Sequence, residues 1–356
     1  MATTTSIEIT HDAAASGREP AEPLIAVRDL SVSIDGNEIV TIDQLDIPHG
    51  ARLGLIGESG AGKTITALSL LDLQPRHATR TGSVRLEGRE LVGLTDRELS
   101  RIRGADVGVV LQDPASALNP LTKVGRQVDE ALRLHTSMSR RERKERVIEL
   151  MSQVQLPDPN RLRRRYPHQL SGGQRQRIMI AIGIANSPKL LIADEPSSSL
   201  DVNVQAEILD LLVRLGEEQQ MGILFISHNL GVVRTICDRV AVLYGGTIVE
   251  QGPVDTVLGH PRHWYTEALI AANPEQLASD GVEGSLNQPL WPIPGETPSP
   301  GHFPSGCRFS NRCPHATDAC AAAPPITRSA DDTSFTCWNP ADPQPTTPTP
   351  ASGTPR

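Results

Sequence analysis

The sequence predicts an α/β fold: a largely parallel sheet covered by helices, interrupted by a helical insert, with a small cysteine-rich region near its end. Three observations carry this expectation. The stretch "ARLGLIGESGAGKTITALSLL" (51–71) passes from a strand pattern through a glycine-rich turn into a helical one. The apolar run "LLIADE" (190–195) ends in two adjacent acids. Short β-rich runs alternate with helical stretches on either side of a long helical block.

Residues 24–34 ("LIAVRDLSVSI") and 39–47 ("IVTIDQLDI") mix apolar and polar positions as strands do. The run "ADVGVVLQDP" (105–114) reads as a strand closed by a turn. From about 115 to 186 the pattern becomes helical, forming the insert. One helix in it starts at Ser139, with Glu142 at the capping-box spacing, and carries a mixed-charge face that reads as solvated surface. "KLLIAD" (189–194), "GILFIS" (222–227) and "DRVAVLYGGTIVEQG" (238–252) return to β-rich runs. After about 285 proline and glycine dominate. The expected organisation is a disordered leader at 1–23, a main domain at 24–285, an extension at 286–337 and a disordered tail at 338–356.

A length of 356 residues points to two or three folding units. The net charge of −8 excludes a binder of nucleic acid that relies on a general basic field. The longest apolar runs fall well short of the roughly 20 residues that span a bilayer. The N-terminus lacks the basic-then-apolar pattern of a secretory signal. These features point to a cytosolic protein, where structural disulfides are rare.

"GESGAGKT", Gly57 to Thr64, matches the phosphate-loop pattern in its required strand–helix context. Gly57, Glu58, Ser59, Gly60, Ala61 and Gly62 let backbone N–H groups curl around phosphate oxygens, and the next helix points its positive end at them. Lys63 reaches the β- and γ-phosphates, and the Thr64 hydroxyl ligates Mg²⁺. The run at 190–195 places Asp194 at the sheet's carboxyl edge, where it supports the magnesium shell, and Glu195 where it orients or deprotonates the attacking water. Gln112 and His228 each fall at a strand end, and "LSGGQRQR" (170–177) opens a helix with small residues.

In this order, with "SSLD" (198–201) just after Glu195, the motifs closely resemble the ATP-binding cassette of ABC transporters. The resemblance covers about 24–285 and implies a P-loop NTPase fold, a RecA-like core plus a helical subdomain. It further implies that Gln112 joins the magnesium shell to the permease-facing surface. Ser171, Gly172, Gly173 and Gln174 match the signature that contacts ATP held by a second cassette. His228 matches the switch histidine, and Asp201 an interface acid. A dimer with two ATPs at its interface is the implied working unit. Where the family places an adenine-stacking aromatic, this chain offers Ile34.

"LQDPASALNPLTKVGRQVDEAL", "YPHQLSGGQRQRIMIAIGIA", "HPRHWYTEALIAANP" and "LWPIPGETPSPGHFPSGCRFSNRCPHATDAC" narrow the resemblance to ATPase subunits of oligopeptide/dipeptide-type importers, whose nickel and glutathione members share the pattern. It implies a sister cassette as heterodimer partner, two transmembrane permease subunits and an extracytoplasmic solute-binding protein. It also implies a peripheral position on the cytoplasmic face of the membrane. Four of the five cysteines lie within 31 positions, as Cys307, Cys313, Cys320 and Cys337. Four thiolates suit a [4Fe–4S] cluster or zinc, and free or transiently oxidised thiols are the third possibility. The resemblance favours the cluster. Cys237 reads as a buried small hydrophobe. A soluble, non-transport ATPase of the same family and a redox-sensing module are the competing functions.

Overall fold

In the computed structural model, residues 22–198, 200–273 and 292–341 are described. Most of the expected leader, the 285/286 boundary and most of the expected tail lie outside them. The elements in chain order are β1 (Ile25–Ile34), β2 (Asn37–Ile47), β3 (Arg52–Ile56), α1 (Lys63–Ser69), β4 (Ala78–Leu86), β5 (Arg89–Glu90) and α2 (Asp96–Leu99). Next come β6 (Val107–Val110), α3 (Pro114–Ala117), α4 (Val124–His135), α5 (Arg140–Gln153), α6 (Pro159–Leu162) and α7 (Gly172–Gly183). Then follow β7 (Leu190–Asp194), α8 (Val202–Gln219), β8 (Gly222–Ile226), α9 (Leu230–Ile236), β9 (Arg239–Tyr244), β10 (Thr247–Pro253), α10 (Val254–Gly259) and α11 (Trp264–Ala271). The two-residue strands β11 (Thr327–Arg328) and β12 (Ser334–Phe335) complete the set.

Two sheets form. β2-β1-β4-β5 is antiparallel throughout. The second, β11-β12-β10-β9-β3-β8-β7-β6, has a parallel centre, with β9, β3, β8, β7 and β6 aligned. β7 and β8 are buried along their whole length, as parallel strands covered on both faces must be. Their side chains alternate between two cores. Leu190, Ile192, Leu224 and Ile226 pack with the antiparallel sheet and α1. Leu191, Ala193, Ile223 and Phe225 pack with the helices on the other face. This alternation fixes the register of each strand and so the position of its carboxyl end.

α3 to α7 are inserted between β6 and β7. Val124, Val128 and Leu132 of α4 join Val147, Leu150 and Met151 of α5 in the core they share with α7. The C-terminal region is no loose appendage. β12 pairs with β10 (Glu250 opposite Phe335), and Phe309 is 1% exposed between Tyr244 and Tyr265, with ring centroids at 5.2 and 5.4 Å. Packing also continues past residue 337, where a disordered tail was expected. Trp338 Nε1 donates to Ala322 O (3.0 Å), Trp264 Nε1 donates to Asn339 O (2.7 Å), and Ala341 N donates to Arg262 O (2.9 Å).

Candidate nucleotide site

β3 delivers the chain to Gly57 with φ +151, where an added Cβ would lie 2.2 Å from the Leu243 carbonyl oxygen, so only glycine fits. The loop ends at Gly62, φ +98, which is the N-cap of α1. Lys63 is 7% exposed, and its Nζ donates to the carbonyls of Gly57 and Glu58, both at 2.9 Å. Burial pushes its ammonium below the usual lysine range, against the raising fields of Glu195, Asp194 and Glu58.

At the end of β7 the Thr64 hydroxyl donates to Asp194 Oδ2 at 2.9 Å. Asp194 is 5% exposed, and its Oδ1 is buried with no hydrogen-bond partner. Burial raises its pKa, and the Thr64 hydrogen bond opposes that. A buried carboxylate oxygen with a free acceptor beside a threonine hydroxyl fits the oxygen-ligand demands of Mg²⁺.

Glu195 follows in the left-handed region, φ +42, with its N–H bonded to Ile226 O at 3.0 Å. Such strain in a non-glycine residue persists only where the surroundings enforce it. Its carboxylate is held from two sides. Gln112 Nε2 donates to Oε2 at 2.8 Å, and His228 Nδ1 lies 3.1 Å from Oε1. Gln112, Glu195 and His228, expected at strand ends across 117 sequence positions, thus meet as one hydrogen-bonded group.

The signature residues stand apart from this group. Ser171 N-caps α7, its Oγ accepting from Gln174 N (3.3 Å) while Gln174 Oε1 accepts from Ser171 N (3.1 Å). Gly172 and Gly173 open the helix, and among the described residues no hydrogen bond or ion pair joins 171–174 to the phosphate loop. Asp201 N-caps α8 through Val204 N at 3.1 Å. Ile34 ends β1, half-buried, paired with Asn37 and Ala78. Ser59, Gly60 and Ala61 complete the loop, with Ala61 N bonded to Glu58 O at 3.2 Å.

Sequence reasoning missed what holds Glu58. Arg312 makes a bidentate pair with it, Nη1 to Oε2 at 2.7 Å and Nη2 to Oε1 at 3.1 Å. Thr297 Oγ1 donates to Oε2 at 3.0 Å, and Glu58 N donates to the Tyr265 hydroxyl at 2.8 Å. Burial alone would raise the Glu58 pKa, but the Arg312 and Thr297 hydrogen bonds bring it below the usual carboxylate range.

The tail cysteines lie near one another. Cys307 N bonds to Cys320 O at 2.9 Å, which brings two cysteines of the set together. Cys313 also lies within electrostatic reach of Cys307, Cys337 and Cys320, although among the described residues no group of three or more His, Cys, Asp or Glu side chains is closed into a metal site. Burial pushes the thiols of Cys313 and Cys337 up to about 11. Cys237 is buried, and burial pushes it up to about 12.

A phosphate loop, a magnesium-compatible threonine–aspartate pair and a braced glutamate on one parallel-sheet edge define a P-loop ATPase cassette. The family comparisons agree and go further. Residues 40–198 match the ABC transporter family, and residues 249–320 match the oligopeptide/dipeptide transporter C-terminal region. A "Putative peptide import ATP-binding protein" of Brucella abortus (strain 2308) is 46% identical over 309 residues, covering 85% of this chain and 91% of that protein. A protein of the same description from Brucella ovis is 45% identical over 300 residues, covering 81% and 88%. Among solved structures, the ATP-binding cassette MJ0796, a dimer in a post-hydrolysis state bound to ADP and Pi, superposes with a TM-score of 0.57 at 28% identity, covering 65% of this chain and 98% of that one. CbiO1 from Clostridium perfringens, part of an ABC transporter complex, gives 0.58 at 25% identity, covering 67% and 91%. The chain belongs to the ATP-binding subunits of ABC importers of the oligopeptide/dipeptide type.

Proposed function

We propose that this chain hydrolyses ATP to power peptide uptake, with ATP closing a dimer of cassettes and hydrolysis reopening it. The observation that carries this reading is the braced Glu195, held by Gln112 and His228 at the end of the strand beside Asp194 and Thr64. The phosphate loop with Lys63 binds and orients the phosphates, and Glu195 accepts a proton from the attacking water while His228 keeps it oriented. Thr64 and Asp194 would hold Mg²⁺, which neutralises charge on the β- and γ-phosphates when bound.

The separation of Ser171, Gly172, Gly173 and Gln174 from the chain's own phosphate loop supports their use on ATP held by a second cassette, with Asp201 at the same interface. That partner is a sister ATPase, and two permease subunits dock through the helical insert and the Gln112 segment. An extracytoplasmic binding protein selects the solute. The working position is the cytoplasmic face of the cell membrane, peripheral; among the described residues no helix is long and apolar enough to cross a membrane. Peptide as cargo rests on the C-terminal family match and on the relatives' names. For the tail, a [4Fe–4S] cluster or zinc on Cys307, Cys313, Cys320 and Cys337 rests on their spacing and on the likeness to the importer family's C-terminal region. Iron, sulfide and zinc content of anaerobically purified protein decides it, and absence of all three removes the metal from the reading.

The deciding experiment is Glu195→Gln in the assembled complex. Phosphate release should fall at least about a hundredfold, the usual loss for a general base, while ATP binding persists. Unchanged turnover, or no permease co-purifying from membranes, sinks the proposal.

A further inference from the structure

The ion pair between Arg312 and Glu58 spans 254 positions and joins the C-terminal region to the phosphate loop. Only 5% of the Arg312 side chain is exposed, and each of its nitrogens is used. Nε donates to Pro294 O at 2.6 Å. Nη1 serves Glu58, the Thr297 hydroxyl (3.0 Å) and the Tyr244 hydroxyl (3.4 Å), and Nη2 serves Glu58 and Ile293 O (3.4 Å). The guanidinium also lies 5.7 Å from the Tyr244 ring centroid. Its aim is therefore fixed by the fold of 293–297 and by the aromatic cluster, not by Glu58 alone.

Glu58 is a loop residue whose own carbonyl receives Lys63 Nζ at 2.9 Å. An acid in a phosphate loop adds negative charge near where a polyanion would bind, and the field of Glu58 already reaches Lys63. Arg312 cancels that charge and at the same time fixes the loop's first turn, the carbonyl of which helps to aim Lys63.

We propose that the C-terminal region acts as a brace on the nucleotide site, with Arg312 as a positioning residue that neutralises and immobilises Glu58 so that the loop and Lys63 accept ATP. Nucleotide affinity thereby depends on a correctly docked C-terminal region. This deepens the ATPase reading above and rests on it.

The test uses the full-length chain and Mg-ATP titrations. Arg312→Ala should raise the ATP dissociation constant about tenfold, a typical coupling between linked sites. Arg312→Lys, which keeps the charge but not the fork, should give an intermediate loss. The discriminating variant is Arg312→Ala combined with Glu58→Gln. Removing the uncompensated carboxylate should restore most of the lost affinity, an outcome a merely structural arginine does not produce. Asp332→Ala is the control, because it breaks the Arg239–Asp332 pair, another C-terminal contact to the cassette; it should leave ATP affinity unchanged. If Arg312→Ala does not fold, Thr297→Val, which removes one donor to Glu58, should still weaken ATP binding measurably. The brace is overturned if Arg312→Ala melts earlier but binds ATP as wild type does, or if Glu58→Gln brings no rescue. A wild-type chain that binds no ATP overturns the ATPase reading itself.

Discussion

Asp194 shows how one residue's surroundings set its chemistry. Burial holds its pKa above the ordinary carboxylate value, with the Thr64 hydrogen bond in opposition. A raised folded pKa means that the metal-free protein gains stability from this group at low pH and loses it as pH rises through that pKa. Magnesium needs the carboxylate, so the metal offsets the loss and its own effect grows with pH. The increase in melting temperature that Mg²⁺ adds to ATP should therefore be larger at pH 8 than at pH 5. In Asp194→Asn the magnesium increment should disappear at both values, as scanning fluorimetry with and without EDTA would show. Lys63 and Thr64 were readable in the sequence because a short spacing within one strand–loop–helix unit fixes their geometry, and Asp194 and Glu195 because an apolar strand ends in two adjacent acids. Arg312 was not, since nothing local in "SNRCPH" tells which residue 254 positions away it will meet.

At the scale of single elements, α5 separates what local signals decide from what packing decides. The expected capping box is present: Glu142 N donates to Ser139 Oγ at 3.3 Å, and Ser139 N to Glu142 Oε2 at 2.7 Å. Its mixed-charge face carries the exposed pairs Arg141–Glu145 and Arg146–Glu149, worth little each. Ser139→Ala should cost about 1 kcal/mol. Leu150→Ala, which empties a fully buried position between α4 and α7, should cost roughly 2–5 kcal/mol. Urea midpoints of the two variants would rank them, and a Ser139→Ala loss equal to that of Leu150→Ala would contradict packing as the main support of this helix. β4 marks the limit of local reading. "ATRTGSVRL" is polar at most positions, and its Gly82 (φ +95) lies so close to Asp29 that a Cβ would meet the Asp29 carbonyl oxygen at 2.2 Å. Pairing with β1 along most of its length makes it a strand, and that partner is distant in sequence, while the neighbouring β5 pairs only with Arg85 and Leu86.

For the whole molecule, the question is whether the C-terminal region is carried by the cassette or helps to hold it. Phe309 inserts between Tyr244 and Tyr265, and Tyr265 in turn receives the Glu58 N–H at 2.8 Å. The same aromatic ring that docks the C-terminal region therefore also touches a group that holds the phosphate loop. Phe309→Ala should cost roughly 3–5 kcal/mol by cavity formation. At about 2.1 cal/mol/K of unfolding entropy per residue, a chain of 356 residues loses roughly 1.3 °C per kcal/mol, so the melting temperature should drop by roughly 4–7 °C. If docking and nucleotide binding are one cooperative system, saturating Mg-ATP should recover part of that drop, because ligand binding to the folded state adds stability by mass action. A Phe309→Ala protein with two separate melting transitions, only one of them shifted by Mg-ATP, would instead show that the two regions unfold independently. The single aromatic cluster and the shared β10–β12 edge lead us to expect one transition.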